Sequence, residues 1–270
     1  MSSDSAQQSP LSDFSSTPSS VDEDLQVYLK PEGEKIRLSL PRSTQMSGST
    51  DWSEVWQQLK HRLNGSDRSW QPGTTVHLSA KDRLLDGRQL QAIADALEEV
   101  QLQLGRIDTS RRQTAVAAAT AGYSVEQHSP IAPLSTSTSE AAPQWSQPLY
   151  LQTNVRSGVD VRHSGTVIIL GDLNPGGTVI AAGDILIWGR LRGIAHAGAQ
   201  GNRACRIMAL RMEPTQLRIA DAVAKAPETP PAQVDPEVAY IAPQGIRLTK
   251  GIDFFKTHSF SAEEGGWTDL

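Results

Sequence analysis

The chain has 270 residues, 38% of them hydrophobic and 20% charged, with a formal net charge of -5 and one cysteine. That length suggests two domains of ordinary size, and the lone Cys205 excludes an intrachain disulfide and a cysteine-based zinc site. No run approaches the roughly 18 apolar residues of a membrane span, and the opening MSSDSAQQSPLSDFSS has neither a basic region nor an apolar core, so the expected address is cytoplasmic.

Charge is unevenly spread. Residues 1–25 carry five acids and no base, residues 155–225 hold nine Lys or Arg against five acids, and residues 226–270 hold three against seven. Two acidic tails therefore flank a mildly basic body, which suits an acidic protein partner and is too dilute for nucleic acid.

Residues 1–24, rich in Ser, Asp, Gln and Pro, read as a disordered acidic tail. Residues 25–126 read as a small α/β or α+β domain. LQVYLK and IRLSL alternate with period two around the turn residues PEGE, which predicts a hairpin. DWSEVWQQLKHRLN follows, with Asp51 as cap and Trp52, Val55, Trp56, Leu59 and Leu63 on one helical face. TTVHLS is a third strand, DGRQLQAIADALEEVQL a second amphipathic helix, and RRQTAVAAATAGY a further helix. Nothing in the spacing of Ser, His and acids assembles a catalytic triad or a metal site, so neither an enzyme nor a cofactor is expected; His61 and His77 read as surface or satisfied residues.

Residues 127–149 return to the Ser, Pro and Gln composition and read as a flexible linker. Beyond it, residues 150–251 change pattern. GDLNPGGT, residues 171–178, has the glycine spacing of a phosphate loop, but Gly177 stands where the lysine must be. The repeat explains these glycines better. Shifted by 18 residues the segment lies on itself: Val161, Val179 and Ala197 coincide, as do Gly165, Gly183 and Gly201, and TVIILG lands on DILIWG. Short apolar runs closed by Gly, Asn or Asp predict a right-handed parallel β-helix, triangular and about three coils long.

Strand side chains alternate in and out. With Val167, Ile169, Ile185 and Ile187 inside, Ile168, Leu170, Leu186 and Trp188 form a stacked apolar patch outside. Such a patch points to an interface, and identical flat faces close as a two-fold homodimer. TQLRIADAVA could cover one end of the helix, PEVAYIAPQGIRLTKG reads as further strand and turn, and residues 252–270 read as a loosely ordered tail.

Three stretches carry a resemblance: RSG at 156–158, GDLNPGGTVIAAGDILIWG at 171–189, and GRLRGIAHAGAQGN at 189–202. They resemble the bacterial septum site-determining MinC family; LKPEGEKIRLSL and GRIDTSRRQTAVAAATAGY extend a weaker likeness into the first segment. The resemblance implies a cell-division inhibitor and not an enzyme. Its N-terminal domain would antagonise filaments of the tubulin-like FtsZ. Its C-terminal domain would dimerise and bind the ATP-bound, membrane-associated MinD, which would bring the cytoplasmic protein to the inner face of the membrane.

By motif position the resemblance places Arg156, Ser157, Gly158 and the nearby Gly176 on the MinD surface, and Gly33 of PEGE against FtsZ. Arg192, with Arg190 two positions before, is the expected contact for the acidic FtsZ tail. Val159 follows RSG where many members carry Gln, and Ile194 stands where some carry Arg. Two rivals remain for comparison. A bactofilin-like scaffold is also a glycine-cornered β-helix that assembles end to end, but lacks a folded α/β domain. A hexapeptide-repeat acyltransferase would need an aliphatic residue every six positions over many coils, where only about three coils are visible, and a catalytic histidine, for which His163 and His196 qualify by type alone.

Overall fold

The computed structural model describes residues 26–43, 52–65, 70–128, 146–225 and 235–270. The acidic tail, the Asp51 cap and most of the linker lie outside the described residues. The fold is mostly β-sheet with few helices.

The first half runs β1 (Tyr28–Glu32), β2 (Lys35–Ser39), α1 (Trp52–Asn64), β3 (Thr75–Lys81), α2 (Gly87–Glu98), β4 (Gln103–Thr109), α3 (Arg112–Ala121) and β5 (Ser124–Gln127). β1 and β2 form the expected antiparallel hairpin, while β2, β3, β4 and β5 pair in parallel through the helical crossovers. Helix α1 buries Val55, Leu59 and Leu63; Trp52 and Trp56 stack at 5.8 Å, half-buried on its flank. Helix α2 starts on a capping box: Asp86 accepts from the Gln89 amide (2.8 Å) and Gln89 accepts from the Asp86 amide (3.0 Å), so two otherwise orphaned donors are satisfied.

The second half runs β6 (Ser146–Leu151), β7 (Asp160–His163), β8 (Gly165–Ile169), β9 (Thr178–Ala181), β10 (Ile185–Leu191), β11 (Ile194–Ala197), β12 (Ile207–Met212), β13 (Gln216–Ile219), β14 (Ala222–Lys225), β15 (Glu237–Ala242), β16 (Gly245–Lys250), α4 (Phe254–Thr257), β17 (His258–Ser261) and β18 (Gly266–Asp269). Two mixed sheets result. Ten strands are ordered β1-β2-β3-β4-β5-β7-β9-β11-β13-β14, and six are ordered β16-β15-β12-β10-β8-β6. Between them, Val155, Leu173 and Leu191 are joined by parallel bridges. Every sixth residue from Leu149 to Leu191 is a buried aliphatic: Leu149, Val155, Val161, Val167, Leu173, Val179, Ile185 and Leu191. Successive members fall on the six-stranded sheet, the bridges and the ten-stranded sheet in turn.

The 18-residue repeat needs a correction in its third copy. Val161 lies opposite Val179 as expected, but Val179 lies opposite Ala195 and not Ala197. Likewise Gly198, not Gly201, donates its amide to the Gly183 carbonyl (3.1 Å). The cause is local: Leu173 bridges Leu191 and Thr178 pairs with Ile194, so the turn after Leu191 is two residues shorter than the turn after Leu173.

The two halves share a sheet. β5 pairs in parallel with β7, Val125 opposite Val161, and the Ser124 hydroxyl accepts from the Asp160 amide (3.1 Å). Arg106 spans the join, 3.2 Å from Glu126 and 3.6 Å from Asp160.

The expectation of a loose tail over 252–270 is also corrected. These residues form α4 and the β17–β18 hairpin, anchored by a fully buried Phe254 whose ring lies 5.1 Å from those of Tyr240 and Trp267. Burial of that aromatic cluster supplies the ordering free energy that local sequence does not. Among the described residues no helix is long and apolar enough to cross a membrane.

Candidate functional site

Two corners stack where the glycines are concentrated. Arg156, Ser157 and Gly158 form an exposed turn, with Gly158 at φ +80°. One rung further on, Gly176 repeats the turn at φ +79°, and the Gly158 amide donates to the Gly176 carbonyl (2.9 Å). A Cβ on Gly176 would collide with the Ser157 hydroxyl, and one on Gly177 would come 2.9 Å from the Arg156 carbonyl. The structure therefore brings Arg156, Ser157, Gly158 and Gly176 into one patch. Val159, next in sequence, is buried and turns away from it.

The arginines that flank Leu191 reach back to the rung before, across the same 18-residue step. Asp172 receives the Arg190 amide (2.8 Å), its Nε (3.1 Å), and the Arg192 guanidinium at 3.5 Å; Arg192 also donates to Asn174 (2.6 Å). The backbone hydrogen bond from Arg190 leads in holding the Asp172 carboxyl below the usual carboxylate range, aided by the two guanidinium groups and opposed by partial burial. Asn154 continues the same column by accepting from the Asp172 amide (2.7 Å). Arg190 and Arg192 are thus fixed in direction, with part of their charge already met by Asp172.

The apolar face lies on the six-stranded sheet. Val167, Ile169, Ile185 and Ile187 are buried, and Ile168, Leu170, Leu186 and Trp188 point outward, Trp188 with 68% of its surface exposed. Ile168, Leu186 and Trp188 line one cleft of about 580 Å³, whereas Leu170 stands outside it. The register adds two residues that sequence reasoning missed: Tyr150 lies opposite Ile168, and Met208 opposite Leu186. Tyr150 sits 18 residues before Ile168, so carrying the repeat one copy back would have found it. Met208 is displaced by the longer excursion before β12 and left no such signal.

Gly33 occupies the β1–β2 turn at φ +62°, with open space around it. In strand order β2 and β11 are six spacings apart, about 29 Å. Gly33 thus lies at the far side of the ten-stranded sheet from Arg192, which leads into β11, and Arg190 is on β10 of the six-stranded sheet.

His163 and His196 each bond a backbone carbonyl, those of Gln147 (3.0 Å) and Ala220 (3.1 Å). Burial pushes both imidazoles below their ordinary pKa, and the carbonyl bonds only partly offset it. Asp108, Glu126 and His128 are grouped closely enough to hold a metal ion, but Arg106 already pairs with Glu126 at 3.2 Å.

The exposed polar corner and the apolar face are two separate surfaces of the second half. Residues 149–250 match the family model of the C-terminal domain of the septum formation inhibitor MinC. Relatives named as probable septum site-determining protein MinC include that of Nostoc sp., 58% identical over 87% of this chain and 64% of the relative. The relatives of Gloeobacter violaceus and Thermosynechococcus vestitus are 50% and 47% identical, each over 85% of this chain, covering 80% and 84% of those proteins. A solved MinC:MinD cell division protein complex from Aquifex aeolicus is 38% identical over 39% of this chain and 87% of that one, with a TM-score of 0.37. The chain belongs to the septum site-determining protein MinC family.

Proposed function

We propose that this chain inhibits division at wrong sites by antagonising FtsZ assembly, and that MinD recruits it to the membrane. Its second half is a short right-handed parallel β-helix: the six-residue spacing of buried aliphatics takes the chain round three sides, and the 18-residue register stacks the rungs. The domains follow the composition: 25–126 acts on FtsZ, 150–251 pairs two copies and binds MinD, and 127–149 joins them. The stacked corner of Arg156, Ser157, Gly158 and Gly176 is the MinD surface. Gly33 on the first half and Arg190 with Arg192 on the second are separate FtsZ contacts, the arginines meeting its acidic tail. Ile168, Leu170, Leu186 and Trp188 pair the copies.

The observation that carries this reading is the separation of surfaces. A pair joined through the apolar face keeps two polar corners and two first halves free, so modest contacts gain effective concentration along a filament of repeated FtsZ sites. The test is sedimentation of FtsZ polymers with this protein, with and without MinD, ATP and lipid vesicles. FtsZ should leave the pellet when the protein is added. The protein should pellet with vesicles only when MinD and ATP are present, and Arg156→Ala should weaken that recruitment. FtsZ pelleting unchanged, with filaments of this protein in the pellet, would support an end-to-end scaffold instead.

A further inference from the structure

We propose that residues 251–270, which follow the matched family domain, form the second half of the self-pairing surface and fix how the copies pair. The α4 ridge of each copy would lie over the β6 edge of the other. This rests on the reading that the apolar face joins two copies.

The family match ends at residue 250. The segment beyond it is fastened at several points: the Gly251 amide donates to Pro236 (2.8 Å), Trp267 Nε1 to Ala204 (3.2 Å), and Arg203 Nε to Gly265 (2.8 Å). Phe254 is its buried anchor, yet Ile252 is 83% exposed and Phe255 61% exposed. Isolated exposed apolar residues mean little. These two are held in place, the Phe255 ring by the Arg206 guanidinium at 5.0 Å, and they form the wall of the cleft floored by Ile168, Leu186 and Met208.

The register shows where this wall stands. Tyr150, Ile168, Leu186, Met208 and Val238 form one row across β6, β8, β10, β12 and β15. Val238 and Tyr240 are covered by Phe254 and Met208 of β12 packs against the same cluster, so α4 sits on the outward face at the β15 end and leaves at most four strands open. Four strands about 4.8 Å apart and about 17 Å long present roughly 320 Å² of flat area. A stable pair needs about 800 Å² from each partner, so the open strands fall short even if side-chain relief doubles the figure. Ile252 and Phe255 are the apolar surface continuous with that face.

Two-fold symmetry allows two simple ways to stack the faces. With the axis across the strands, ridge meets ridge and the β6 edges are held apart. With the axis along the strands, each ridge fills the step above the other copy's β6, and Phe255 approaches Tyr150 across the interface. The second arrangement covers Ile252, Phe255, Tyr150 and Trp188 together.

The experiment is disulfide trapping in a Cys205→Ala background, beside sedimentation velocity. A mixture of a Tyr150→Cys chain with a Phe255→Cys chain should oxidise to a mixed covalent dimer, and Phe255→Cys alone should stay uncrosslinked. Ile252→Asp should raise the dimer dissociation constant at least about tenfold. Crosslinking of Phe255→Cys with itself, or an unchanged dissociation constant for Ile252→Asp, overturns the proposed arrangement. Leu186→Asp serves as the separate check: if it still sediments as a dimer, the apolar face itself was wrongly chosen.

Discussion

Gly189→Ala isolates close packing from backbone strain in the stacked strands. A Cβ at Gly189 would run into the Gly171 carbonyl of the rung below and lie 2.7 Å from the Asp172 carboxylate oxygen. That same carboxylate oxygen accepts the Arg190 amide, so yielding to the methyl breaks a second contact. Overpacking costs about 1–3 kcal/mol, and an obstacle of backbone held at strand spacing puts this site at the upper end. At about 2–4 °C per kcal/mol for a chain of this size, the melting temperature should fall by about 6–12 °C. Gly158→Ala is the comparison, because it has a positive φ but nothing within 4 Å of the new carbon; strain alone costs about 1–2 kcal/mol. Circular dichroism melts at pH 7 would measure both. A Gly189→Ala protein melting within two degrees of the parent would refute the steric argument, as would a larger loss for Gly158→Ala.

Asp172→Asn should lower stability at neutral pH. The folded carboxyl is held below its ordinary pKa, so its contribution is present above about pH 4 and is lost as pH falls through the lower folded value; parent and variant melts should converge in acid, and a constant gap down to pH 2 would contradict the assignment. Cys205 is 2% exposed and burial pushes its thiol up to about 12, so a thiol reagent at pH 8 should label it only after denaturation; stoichiometric labelling of the native protein would show that the site opens.

Much of this was readable in advance where the signal is local. Alternation in TVIILG and DILIWG separated Val167 and Ile187 from Leu186 and Trp188 because side-chain direction is fixed by the strand itself. The repeat was readable because stacked rungs impose the same turn on Arg156–Gly158 and on Gly176. It failed at Ala197, since a turn shortened by two residues leaves local composition unchanged. The order of residues 252–270 was hidden for a different reason: Phe254, Phe260 and Trp267 show no period, and the surface that orders them belongs to β15. The join of β5 to β7 depends on two edges 36 residues apart in sequence, Val125 and Val161, and no local pattern announces such a pairing.

That join has a consequence for growth. A column of parallel strands with bare ends is a template for its own elongation, each new subunit adding where the last one stopped. In the ten-stranded sheet, β7 is flanked by β5, and β13 by β14, whose opposite direction cannot be continued in parallel register. The column is finite, its rung number set by its own flanking strands. On this sheet the rungs are closed off at both ends, whereas β6, terminal in the six-stranded sheet, remains an open parallel edge beside the apolar face.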